Sequence, residues 1–268
     1  SFFLLLVFLV ILGLVITALG RPSAGRSTAG GGVLLEESLF DRLRRKYEAL
    51  ANEYKEQGEF KKASNIYLKL LQNPYQAATV LEEGKLYNEA AVLYFAKLSN
   101  KAKAAECYEN GKNYKKAIEL QKELNNREKI GDLYMMINDQ KAAYSWYESV
   151  VAEYTHSSQY VKAALVCRNK MKNPTGAQDL LLTGWRQNAD AFNCINNYFA
   201  CIKEPEKLKE TISMVYKDVP ETQKETFLAA LKYEFDKGET MEKFSRDKAY
   251  EIVSDRILKK PMLASELK

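Results

Sequence analysis

Few side chains in this 268-residue sequence are of kinds that do chemistry, and their spacing decides what they can do. His156 is the one histidine, set between Tyr154 and Ser158 in what reads as a loop. A catalytic base needs a nucleophile within reach and a third group to orient it, and nothing around His156 supplies either. A solvated loop residue is expected. Cys107, Cys167, Cys194 and Cys201 lie in helical stretches without C-x-x-C spacing. Cys194 and Cys201 are seven apart on one helical face, where a small apolar side chain serves equally well. The expectation is buried reduced thiols, with no disulfide and no metal site. Carboxylate pairs such as Glu82/Glu83 fall beside turns on a charge-mixed surface and read as solvated, not as an acid–base couple. Gly30-Gly31-Gly32 has no Lys-Ser/Thr after it and no strand before it, which excludes a phosphate cradle. Zinc spacing, a nucleophile elbow and a dinucleotide fingerprint are all missing. The sequence therefore predicts no catalytic, cofactor-binding or metal-binding residues, no cofactor and no enzymatic activity.

What the sequence does contain is repetition, from Glu56 to Val150. An aromatic, an alanine three later and an aromatic four after that occur at Phe60/Ala63/Tyr67 and Tyr87/Ala90/Tyr94. Tyr114/Ala117 continues with Gln121 in the last slot, and Gln140/Ala143/Tyr147 follows. The steps between copies are 27, 27 and 26 residues. Upstream of each stands a second pair: Ala51/Tyr54, Ala78/Leu81, Ala105/Tyr108 and Gly131/Tyr134. Offsets of three, four and seven share one helix face, so each copy describes two short helices. The small residue permits close approach and the aromatics fill the grooves beside it, so the tyrosines read as core. Turns are expected at Gln57-Gly58, Glu83-Gly84, Asn110-Gly111 and Asn138-Asp139. Asn73, Ser99-Asn100, Asn125-Asn126 and Ser157-Ser158 are expected to cap the next helix. A degenerate fifth copy runs from Tyr160 through Ala164 and Cys167, turns at Asn173-Pro174 and resumes at Ala177 and Leu181.

A hairpin this short cannot bury its own apolar face and must stack on the next. The fold class is all-α, a right-handed solenoid of short helical hairpins after one N-terminal transmembrane helix. The pattern resembles tetratricopeptide repeats and their shorter relatives, but the period is about 27, and the Trp and closing Pro of that motif are missing. The runs Val80-Leu81-Glu82-Glu83-Gly84-Lys85, Lys129 to Tyr134 and Leu180 to Trp185 are similar to a narrower group. These are bacterial membrane-anchored repeat proteins encoded beside MoxR-type ATPases, von Willebrand A-type proteins and β-propeller (bpX) partners. The resemblance implies protein partners of those kinds.

Phe2 to Leu19 is an uncharged apolar run broken only by Gly13 and Thr17. Eighteen helical residues span roughly 27 Å, close to a bilayer's hydrocarbon core. A retained single-pass transmembrane helix is expected, with residues 2–19 in the membrane. The alternative is a signal peptide cleaved near Ala18-Leu19-Gly20, leaving a secreted or periplasmic chain. Arg21, Arg26, Arg42, Arg44, Arg45 and Lys46 follow, and positive charge beside a span tends to stay inside, so the solenoid is expected in the cytoplasm. Cysteines without a disulfide pattern point the same way. Overall, 40 basic residues face 35 acidic ones in mixed order, for a net charge of +5, so a nucleic-acid partner is not expected.

The expected domains are a transmembrane helix at 1–19, a flexible linker at 20–37 and repeats at 38–186. A C-terminal helical extension follows at 187–268, with the chain read as a fragment. Phe40, Leu43, Tyr47, Leu50 and Tyr54 step by three and four, predicting one long helix into the first turn. Beyond Trp185 the copies dissolve, and helices are expected to stop at Glu204-Pro205, Val219-Pro220, Gly238 and Pro261. The function predicted is a membrane-tethered protein–protein interaction scaffold in a bacterial multiprotein assembly. Asn65, Val92, Glu119 and Ser145, which vary between copies, are where specificity is expected to lie. The competing readings are a nucleic-acid-binding repeat protein and the non-catalytic part of a larger enzyme.

Overall fold

A computed structural model describes residues 31–259 and 261–262. The expected membrane helix at 1–19 and residues 20–30 of the expected linker lie outside the described residues. Among the described residues no helix is long and apolar enough to cross a membrane. Every regular element among the described residues is helical. In chain order they are α1 (Gly31–Glu56), α2 (Phe60–Lys69), α3 (Pro74–Glu83), α4 (Tyr87–Ala96), α5 (Lys101–Asn110), α6 (Tyr114–Glu123) and α7 (Arg127–Met136). There follow α8 (Gln140–His156), α9 (Tyr160–Asn169), α10 (Pro174–Arg186), α11 (Ala191–Ala200) and α12 (Pro205–Lys217). A 3-10 turn (Glu221–Gln223) precedes α13 (Lys224–Phe235) and α14 (Glu239–Lys259). Helix begins at Gly31, seven residues before the expected start of the repeats at 38.

The chain divides into two compact units, the first ending at Val80 and the second beginning at Leu81. In the first unit α1 packs on α2, with Ala51, Ala63, Ile66 and Tyr67 buried. The Ser64 hydroxyl, also buried, donates to the Ala77 carbonyl at 2.9 Å and ties α2 to the start of α3. The predicted stripe on α1 is helical but only partly covered: Phe40, Leu43 and Leu50 remain exposed.

In the second unit α4 to α11 pack in chain order, each on its successor, as repeat helices must. The small slots are the closest contacts: Ala90, Ala104, Ala105, Ala117 and Ala143 have no exposed surface. One apolar core then runs from Tyr160 to Ile252. Its centre is aromatic. Phe227 lies 6.1 Å from Trp185, 6.0 Å edge-on from Phe199 and 5.7 Å from Tyr216, and such tilted pairs add to area burial. The motif also outlasts Trp185, because Ala191, Cys194 and Tyr198 repeat the three-and-seven spacing and are all buried.

The turns explain the spacing of the copies. Within each hairpin a left-handed residue closes the helix, its N–H reaching back three residues and the next N–H reaching back five. Lys85→Glu82 and Leu86→Leu81 show this at 2.8 Å each, and Lys112→Glu109 and Asn113→Tyr108 repeat it. Between copies, Asn100 N–H reaches back six residues to the Tyr94 carbonyl, whereas Asn126 reaches back five to Gln121. That one-residue shortening is the step of 26. From Gln140 to Tyr160 the step falls to 20 (160 − 140) because α8 fuses two helices and has no turn between them. Its second half carries Val151 and Tyr154 at the spacing of the pair that stands ahead of each earlier motif.

Several local expectations need correction. Glycine was expected to make the turns at 84 and 111, yet the left-handed residues there are Lys85 (φ 57°) and Lys112 (φ 58°). Gly58, φ 75°, and Asn138, φ 61°, play the predicted part in their hairpins. Asn73, Asn100, Asp139 and Asn173 do cap, each accepting from the N–H three residues on. Asn126 heads its helix without a side-chain cap, and after Ser158, itself left-handed, Gln159 does the same. His156 is the last residue of α8 and exposed, not part of a loop, because the fused helix carries through to it.

Candidate interaction surface

The side chains weighed for chemistry do not converge. Among the described residues no group of His, Cys, Asp and Glu is placed to hold a metal ion. All four cysteines are free thiols, three buried and Cys201 half-buried. Burial, helped by the Glu82 charge, pushes the Cys107 thiol up to about 12, and burial with Asp190 pushes Cys194 up to about 11. Burial raises Cys167 as well. A thiol held protonated is a poor nucleophile, so these behave as small apolar side chains.

Glu82 and Glu83 separate. Glu83 is exposed, but Glu82 is half-buried and accepts from the Tyr94 hydroxyl at 2.6 Å. It also stands 3.4 Å from the Lys103 ammonium. One copy later Glu109, the equivalent of Glu82, takes Lys129 at 2.8 Å. These pairs cross from one copy to the next at the same register, so Glu82 is a structural carboxylate, not a solvated one. Tyr147 does the same work as Tyr94, donating to Asp132 at 2.7 Å, and Asp132 is also held by Lys170. Burial first and that hydrogen bond second raise the Tyr147 phenol above its usual range. Tyr94 and Tyr147 are therefore core with their polar tips satisfied. Sequence reading missed these partners because they lie twelve or more residues apart and belong to no motif.

The positions that vary between copies do share a surface property. Asn65 in the first unit, and Val92, Glu119 and Ser145 in the second, are all exposed, at the equivalent site of the second helix of each hairpin. Around two of them the surface is apolar. Val92 is 47% exposed and Phe95, one turn on, 45%. Phe95, Tyr108, Lys116, Glu119, Leu120 and Glu123 line a cleft of about 250 Å³ along α4, α5 and α6. There the Lys116 ammonium sits 5.2 Å over the Tyr108 ring, a contact that holds a cation beside an apolar face. The cleft offers apolar contact area from Phe95, Tyr108 and Leu120 and charges of both signs from Lys116, Glu119 and Glu123.

Serial hairpins with buried small slots and an exposed variable face define an α-helical repeat protein. Compared with known proteins, the chain matches no family model and no curated sequence.

Proposed function

We propose that this protein is a protein–protein interaction scaffold. The observation that carries it is the pairing of exposed Val92 and Phe95 with the apolar-and-charged cleft beside them. Exposed apolar side chains that adjoin one another and a cleft, unlike singly scattered ones, mark protein interaction sites. A stacked hairpin array gives a partner an extended, rigid surface, and the small slots that hold the stack leave the variable face free to differ between copies. The finer reading is a right-handed solenoid tethered to a membrane by residues 2–19, facing the cytoplasm, in a bacterial assembly. The apolar run, the arginines after it and the likeness to repeat proteins encoded beside MoxR-type ATPases, von Willebrand A-type and β-propeller proteins support it.

The test places a photo-crosslinking residue at Val92 or Phe95 in the full chain expressed in cells. Discrete crosslinked proteins are expected from both positions, and Phe95→Glu should remove the Val92 adducts while the helical spectrum is unchanged. Diffuse labelling indistinguishable from that at an exposed control such as Glu148 overturns the scaffold reading. N-terminal sequencing of the same material tests the tether, since a start near Arg21 would mean a cleaved signal.

A further inference from the structure

A second surface in the second unit is chemically distinct from the cleft. Leu228, Ala229, Leu231 and Phe235 of α13 face Ser245 and Ala249 of α14 across a groove of about 490 Å³. Along α13 it runs over eleven residues, from Glu225 to Phe235, a rise of roughly 15 Å. That is the length of the ten-residue helices α4 to α7. The packing that precedes it sets the pattern: α10 packs on α11, α11 on α13 and α13 on α14, each covering an apolar face of the one before. The groove continues that series, with the same kind of floor and no helix of the described residues over it.

Two features give it chemistry. The Ser245 side chain lines the groove while only 2% of the residue is exposed, and its hydroxyl has no hydrogen-bond partner. A buried hydroxyl left unpaired costs stability, and helical serines ordinarily relieve this by bonding a carbonyl of their own turn. The charge at the rim is lopsided as well. Glu225 is taken by Arg256 at 2.6 Å, whereas Arg246 has only Glu242, at 3.8 Å, and Lys232 stands beside the apolar floor. The unneutralised charge bordering the groove is therefore positive.

We propose that this groove docks an amphipathic helix of a partner protein, three turns long, with an apolar stripe flanked by carboxylates. The stripe packs on Leu228, Ala229 and Phe235, and the carboxylates meet Lys232 and Arg246. This is helix-in-groove recognition, in which apolar anchors supply affinity and rim charge supplies selectivity and rate. It rests on the scaffold reading and names a partner chemistry for it.

The experiment uses the full chain reconstituted in lipid nanodiscs, which accommodates residues 2–19 without detergent, and three fluorescent twelve-residue helical probes. One has a leucine stripe flanked by glutamates, one the same stripe flanked by lysines, and one scrambles the acidic sequence so that no stripe forms. The acidic probe should bind at least tenfold more tightly than either of the others. Ala229→Trp, on the exposed side of α13, should fill the groove and weaken binding at least tenfold with thermal unfolding unchanged. Lys232→Glu with Arg246→Glu should invert the preference between acidic and basic probes, and that variant keeps the test informative if the tryptophan variant misfolds. Equal binding of the scrambled probe, or no response to either variant, overturns the proposal. A dimer of the chain that Ala229→Trp dissolves also overturns it, because the occupant is then a second copy. If the probes fail while crosslinking at Val92 persists, the groove proposal falls and the scaffold reading stands.

Discussion

Gly131 lies directly beneath the ring of Tyr147: a Cβ built on Gly131 would stand 2.7 Å from Tyr147 Cδ1 and 2.9 Å from Cζ. Real carbon contacts of that kind do not come so close, and the ring cannot retreat, since Tyr147 is buried and its hydroxyl is held by Asp132. The equivalent positions in the other copies are Ala51, Ala78 and Ala105. Gly131→Ala, a change to the residue its own repeat prefers, should therefore overpack the site and destabilise by about 1–3 kcal/mol. Chemical denaturation measures this. Adding Tyr147→Leu should recover part of the loss, and strictly additive effects would show that the two residues do not touch.

A second prediction concerns neighbours whose roles the sequence suggested the other way round. Gly111 sits where glycine ordinarily makes a turn, yet its backbone is right-handed and Lys112 is the left-handed residue. A left-handed side chain costs about 1–2 kcal/mol and glycine's extra chain entropy about 0.5–1. Lys112→Gly should stabilise by about 0.5–1 kcal/mol, and Gly58→Ala should destabilise by a similar amount. Unchanged midpoints for both would mean the turns relax freely.

Much of the fold was legible because it depends on spacing within one helix. The slots at Ala63, Ala90, Ala117 and Ala143 mark the hairpins, and all four are fully buried. What escaped depends on the path between helices. The five-residue closure at Asn126 and the fused α8 leave only a shortened step in the sequence, and a shortened step has several structural causes. Lys85 and Lys112 escaped because turn propensity is read from glycine, whereas the closing bonds fix the left-handed residue. The exposed face of the repeats was legible as variable positions, Val92 among them, but not as a surface. Phe95 escaped because it occupies no slot of the repeated pattern, and only the packing of its helix turns it outward.

The thiols supply a prediction in pH. Cys107 and Cys194 are raised from an ordinary 9.0 to about 12 and about 11 by burial. A folded-state value above the unfolded one means the folded chain holds the extra proton. The associated stability is fully present below about pH 9 and is lost as pH rises from there through 11 and 12. Replacing both with alanine should flatten that part of the stability curve, read by urea titration between pH 8 and 11. At pH 8 half-buried Cys201 should react first with a thiol reagent, and the other three only after unfolding. Equal rates for all four would contradict the burial.

The last prediction sets the repeat's two faces against each other within two residues. Ala117 is in α6 with 0% of its surface exposed, at the slot where neighbouring helices come closest. Glu119, two residues on, is exposed and points to the variable surface. Tryptophan adds the same bulk at either position and has similar helix propensity at both, so any difference between the variants reports packing. Ala117→Trp must force the helices apart and should destabilise by about 1–3 kcal/mol. Glu119→Trp meets solvent and should stay within about 0.5 kcal/mol of the parent. Ala90→Trp and Val92→Trp should repeat the contrast one copy earlier. If both members of either pair leave the melting temperature unchanged, the small slots do not hold the stack.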